Sequence, residues 1–198
     1  MSTVRFNTWQ NTGGTEAATA SEVSAYSFTE PALVLLNATN FTAASSVSVD
    51  NVFSSTYSNY VIMFSSSDAS AAAGYLRFRL RASGVDESSG TNYYRYNRQY
   101  TYTSTSGQDG SNQSFWDIGE VSSSWPDTSS FQMTLWNPAV AQRTTAYTVS
   151  HKASSSSTNV QQTVASLHKL QTAYDGFTLY VTTGTFTGKL RVYGMADS

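Results

Sequence analysis

The 198-residue sequence contains no cysteine, which excludes disulfide frameworks and thiolate chemistry. Charge is scarce too: Asp, Glu, Lys and Arg together make up 12% of the chain, about half the usual share. With a formal net charge of −2, no overall field draws the chain to nucleic acid or to an anionic membrane. No apolar run approaches the ~20 residues of a membrane-spanning helix. The start, MSTVRFNTWQ, lacks the basic and apolar regions of a secretory leader, so the expectation is a protein assembled in a cytoplasm.

Residues for chemistry are equally few. The two histidines, His151 and His168, are each followed by Lys in an expected strand; a nucleophile needs a base held beside it, and the abundance of Ser makes any Ser, His and Asp combination uninformative. HExxH, CxxC and EF-hand spacings do not occur, so no metal or cofactor is expected, with a structural cation on a subunit axis the one arrangement left open. The run Gly184 to Gly188 lacks the helix start that would make it a phosphate cradle and is expected to be a hairpin turn. In FWDIGEVSSSWPD, Asp117, Glu120 and Asp127 lie near Trp116 and Trp125. Glycoside hydrolysis would need two of these carboxylates facing each other across a cleft; stacking of a sugar on Trp116 or Trp125 is a second reading, and packing of both rings is the default. The chain is not expected to be an enzyme.

What is plentiful is hydroxyl and aromatic side chains. Ser and Thr number 33 and 26, aromatic residues reach 14%, and thirteen of these are Tyr. Such residues suit pleated surfaces that pack rings on one side and keep polar tips wet. Residues 1–30 are small and polar, with too few apolar side chains for a core, and are expected to form an extended N-terminal attachment arm. From Pro31 onward, short strand patterns alternate with turn-rich stretches, the spacing of a sandwich. Strands are expected at 33–36, 40–42 with 47–49, 59–65, 74–82, 92–102, 113–119, 130–136, 144–151, 160–168, 176–181 and 185–194. Loops are expected over SSSDASAAAG, SGVDESSG, TSTSGQDGSN and KASSSSTN. Only residues 159–170 offer a competing helical reading. Residues 31–198 therefore form one expected domain.

Two strands alternate most clearly. Leu76, Phe78 and Leu80 point one way while Arg77, Arg79 and Arg81 point the other; Phe186, Leu190 and Val192 alternate likewise with Lys189 and Arg191. The arginine row is a solvated face, one that pairs across a subunit interface or onto an acidic capsid surface, or one that binds an anionic glycan or phosphate. In TNYYRYNRQYTYT, Tyr93, Tyr94, Arg95, Tyr96 and Arg98 combine the residue types favoured at interface hot spots. With Phe6 and Trp9 of the arm, and Arg77, Arg79 and Arg81, they are the candidate interface residues. A single-stranded nucleic-acid platform would use similar residues, and the acidic balance argues against it.

The segments VDNVFSSTYSNYVIMF, LRFRLRASGVD, FQMTLWNP and GKLRVYGM, in this order over residues 40–195, resemble structural proteins of tailed bacteriophages of the cyanophage and marine type. The resemblance implies a jelly-roll-like antiparallel β-sandwich, often a homotrimer, in head decorations, appendages or tail fibres, and it carries no catalytic residue. With only a short arm and no fibre shaft, the expected function is a virion capsid decoration or cement protein. It would bind copies of itself, and the major capsid protein or another virion protein through its arm. The alternative is a tail-fibre protein that binds a host receptor or glycan, with Trp116 and Trp125 as contacts.

Overall fold

Period-two alternation translates into strands almost throughout. The computed structural model describes residues 8–10, 16–19, 32–71, 73–101, 104–124, 129–153 and 159–196. Contacts divide the chain into two units, Met1–Pro31 and Ala32–Ser198. Within the first, β1 (Thr8–Gln10) pairs antiparallel with β2 (Glu16–Thr19). Phe6 and the side chain of Trp9 lie outside the described residues.

The second unit is all-β. In chain order its strands are β3 (Leu33–Ala44), β4 (Ser46–Val49), β5 (Asn59–Ala69), β6 (Gly74–Ala82), β7 (Val85–Asp86), β8 (Tyr93–Tyr100), β9 (Thr105–Gln113), β10 (Trp116–Val121), β11 (Ser130–Trp136), β12 (Thr144–Ala153), β13 (Asn159–His168), β14 (Gly176–Val181) and β15 (Phe186–Met195). They form two antiparallel sheets. The larger has the order β3-β15-β5-β11-β12-β13-β8-β9, and the smaller β10-β6-β14-β4 with β7 beside β6. The chain passes back and forth between the sheets, and their inner faces share one buried apolar cluster. This is a sandwich-like arrangement.

The core follows the alternation seen in the sequence. Leu76, Phe78 and Leu80 of β6, Phe177 and Leu179 of β14, and Phe186, Leu190 and Val192 of β15 are all buried. Rings run through the core: Phe177 meets Phe78 at 4.9 Å and Phe78 stacks on Trp116 at 5.8 Å within the small sheet, Trp116 meets Tyr93 of the large sheet at 5.4 Å, and Phe53 of the β4–β5 connection meets Tyr60 at 4.7 Å. Each fully buried ring of this kind contributes about 1.5–3 kcal/mol relative to exposure. Gly176 sits where a Cβ would lie 2.2 Å from the Val49 carbonyl oxygen, so only glycine permits the pairing of β14 with β4.

Several expectations are corrected and one is met. Residues 33–44 form one strand rather than two pieces, and β5 runs on to Ala69 into the expected loop, while residues 159–168 are the expected strand rather than the competing helix. The largest miss is β9: TSTSGQDGSN reads as loop, yet Thr105–Gln113 pairs with β8. Its composition is turn-like because it lies under arginine stems. A Cβ on Gly107 would come within 2.5 Å of the Arg98 guanidinium, so the missing side chain makes room for the neighbour's.

Candidate interaction surfaces

The arginine row of β6 finds its counter-ions within the chain. Arg77 Nε donates to Asp117 at 2.7 Å, Arg81 Nε donates to Asp50 at 2.7 Å, and Arg81 Nη1 donates to Asp86 and, at 2.9 Å, to Thr178. Arg79 lies 3.9 Å from Asp86 and over the Tyr180 ring, and its Nε donates to the Ser114 carbonyl. Three like charges on one strand face are thus neutralised by carboxylates from β10, β7 and the β4–β5 connection. Each arginine of the row therefore has a carboxylate within the chain.

Asp117 does more than balance Arg77. Its second carboxylate oxygen accepts from Arg95 Nη1 of β8, so one nearly buried carboxylate ties the small sheet to the large one. With both oxygens committed to guanidinium groups, Asp117 is a structural hub. Trp116 beside it is fully buried, donating its indole N–H to the Leu167 carbonyl at 3.3 Å. It is a core residue and offers no face to a sugar, a correction that follows from its inward position opposite Phe78. Trp125 and Asp127 lie outside the described residues.

The Tyr-rich strand β8 is split by its own pleat. Tyr93 is a core residue and not an interface one: its hydroxyl accepts from the Leu80 N–H at 3.0 Å and donates to the Glu87 carbonyl at 2.8 Å. Burial pushes its pKa well above the ordinary tyrosine value. Arg95 also turns inward to Asp117. Tyr94, Tyr96 and Arg98 stand on the other face, where Tyr96 and Arg98 are exposed and Arg98 pairs with Asp109 at 2.9 Å. His168 is buried between Tyr93 and Tyr174. Its Nδ1 lies 3.3 Å from the Tyr174 hydroxyl, and burial pushes its pKa down to about 4 against the opposing pull of Glu87. It is neutral at pH 7.

The outer face of the large sheet is the surface the sequence did not reveal. In β12 the usual order is inverted: Thr144, Ala146, Thr148 and Ser150 are buried, while Tyr147 and Val149 are exposed. Gln132 of β11 lies in register with Met63 of β5 on one side and Val149 on the other, and Thr134 lies beside Tyr147. Between these walls runs an open groove of about 730 Å³, lined by Met63, Ser130, Gln132, Tyr147, His151 and Gln161 among others. The only available signal was the pairing of small polar with large apolar residues in TTAYTVSH, which reads in the opposite sense when the larger residues are assigned to the core. Among the described residues, no group of three or more His, Asp or Glu side chains is placed to hold a metal. Comparison with protein-family models, with curated proteins and with solved structures finds no match.

Proposed function

We propose that this chain is a structural protein of a tailed-phage virion, a head decoration that stabilises the shell by binding copies of itself and a neighbouring shell protein. The observation that carries the assembly role is strand β3. It is twelve residues long, holds no charged side chain, and ends the large sheet, with its outer edge paired to no described strand. On it Leu33 and Leu35 are 40% and 53% exposed. A long, uncharged, partly apolar edge is a ready template for another strand, and soluble monomers usually blunt such an edge with lysine, proline or a covering segment.

The segments that carry the phage resemblance support the same reading in a particular way. They fall on β5, β6, β11 and β15, the strands that build the core, so the likeness is one of scaffold. A jelly-roll-like topology accords with a first long strand lying beside the last and a chain that crosses repeatedly between sheets. Homotrimeric assembly would bury the β3 edge three times over in a closed ring. Binding only the assembled shell would shift its equilibrium away from disassembly.

Quantitative mass spectrometry of purified virions tests this. A copy number comparable to that of the major capsid protein is expected. A handful of copies per particle would place the chain in a tail appendage instead, and absence from virions would refute a structural role.

A further inference from the structure

We propose that the groove on the outer face of the large sheet, together with Lys189 and Arg191 beside it, is a binding site for an anionic oligosaccharide. It rests on three observations. The first is the inverted strand β12, which holds Tyr147 and Val149 in solvent at 44% and 39% exposure while its small hydroxyl residues are buried. The second is the chemistry of the groove. Its floor along β11 is Ser130, Gln132 and Thr134, its walls are Met63, Tyr147 and Val149, and among the described residues no Asp, Glu, Lys or Arg lines it. Apolar walls with a few amide and hydroxyl groups are the usual make-up of a small-molecule site. A pyranose matches this pattern, having a C–H face that the negative face of the Tyr147 ring attracts and an edge of hydroxyls that bond to Gln132, Gln161 and Thr134.

The third observation gives the ligand its charge. A smaller depression of about 310 Å³ lies on the other side of Met63, lined by Ser65, Lys189 and Arg191, and shares Met63 and Phe64 with the groove. The two are continuous in the register of the sheet. Arg191 lies opposite Met63, which lies opposite Gln132, so the cation stands two strands, about 10 Å, from the middle of the groove floor. Lys189 and Arg191 point from the same face of β15, about 7 Å apart along the strand. Arg191 donates to the Thr39 carbonyl at 3.2 Å and the Asn40 side chain at 3.0 Å, and neither cation is paired with a carboxylate among the described residues. By contrast, each arginine of the β6 row has one. A carboxylate or sulfate on a sugar, one unit away from a neutral ring seated on Tyr147, would supply the missing counter-ion. Two cations are too few to track a nucleic-acid backbone, which takes a charge for each phosphate neutralised.

This site does not depend on whether the chain decorates a head or a tail, so its failure leaves the assembly reading untouched. The test is calorimetric titration of the full-length chain with a galacturonate hexasaccharide, a heparin-derived hexasaccharide, maltohexaose and a hexaglutamate peptide. At least one anionic sugar is expected to bind about tenfold more tightly than maltohexaose. Tyr147→Ala should weaken neutral and anionic sugars alike, and Lys189→Ala only the anionic sugar that binds, with thermal unfolding of each variant unchanged. The two anionic probes separate carboxylate from sulfate recognition. Binding of hexaglutamate as tight as that of the sugars would overturn the proposal, as would the absence of any sugar binding at millimolar concentration. Concentration-dependent self-association abolished by Tyr147→Arg, without sugar binding, would overturn it in favour of a contact between copies.

Discussion

The inner face of the large sheet has two halves with different character. On β5 and β11 it is apolar, with Tyr60, Ile62, Phe64, Phe131, Met133 and Leu135 all buried. On β12, β13 and β8 it is mixed, a polar half in which Thr144, Thr148, Ser150, Gln162, Ser166, His168 and Asn97 are buried beside Ala146, Val160, Val164 and Tyr93. The apolar half packs on the ring stack of Phe177 and Phe78. The polar half lies under β10, the edge strand of the small sheet, whose Gly119 fits closely against Ser150. One half is held almost wholly by area removed from water, the other by fewer apolar contacts, chiefly Tyr93 on Trp116, together with one carboxylate and the close fit of small side chains. In the polar half, Thr144, Thr148, Ser150, Ser166, Asn97, Arg95 and His168 each keep a buried polar atom without a protein partner, which costs free energy that the apolar half must offset.

The largest contrast should come from truncation in the apolar half. Phe78→Ala removes a fully buried ring from the stack and should cost about 3–5 kcal/mol in urea unfolding. A loss below about 1 kcal/mol would show that the ring stack is not where the stability lies.

In the polar half the corresponding weak point is electrostatic. Asp117→Asn keeps the shape but leaves Arg77 and Arg95 without their carboxylate, and should cost about 2–3 kcal/mol, less than the deepest buried pairs because Arg77 keeps 28% of its side chain in water. Local opening of β10 and β8, read by hydrogen exchange, should rise before that of β5 and β11. Uniform exchange across both halves would contradict a hub that clips one edge.

Acid should act on the same half. Because His168 titrates near 4 when folded and near 6.5 when unfolded, the unfolded chain takes up its proton first. The stability held by the neutral ring is complete above about pH 6.5 and is lost as pH falls toward 4, on the order of 1–3 kcal/mol. In His168→Gln the slope of unfolding free energy over this interval should flatten. Identical slopes in the two proteins would rule His168 out as the acid-sensitive group.

The smallest effect carries the opposite sign. Thr148 is fully buried with no partner for its hydroxyl, so Thr148→Val should stabilise by up to about 1 kcal/mol. A loss of stability would mean that this hydroxyl is satisfied in solution.

How much of this was legible in the sequence depends on how local each signal is. The buried faces of β6 and β15 were readable because alternation is carried by neighbours two residues apart. Strand β9 was not, since its glycines answer to Arg95 and Arg98 on β8. The arginine row was visible, but its counter-ions Asp50, Asp86 and Asp117 come from separate stretches of chain brought together by pairing. Composition suggested interface residues in β8, and the pleat divides them: Tyr93 and Arg95 go inward, Tyr96 and Arg98 outward. The inverted strand β12 misleads any reading in which the larger apolar residues face the core, and only the register of its neighbours corrects it.

Assembly through the β3 edge is the central claim, and sedimentation equilibrium of the full-length chain and of Leu35→Lys tests it most directly. The native chain should sediment as a closed oligomer, a trimer on the phage-decoration reading, and Leu35→Lys, at a position 53% exposed, should sediment as a folded monomer. A native chain that stays monomeric at every concentration, or an oligomer that Leu35→Lys leaves intact, would contradict it.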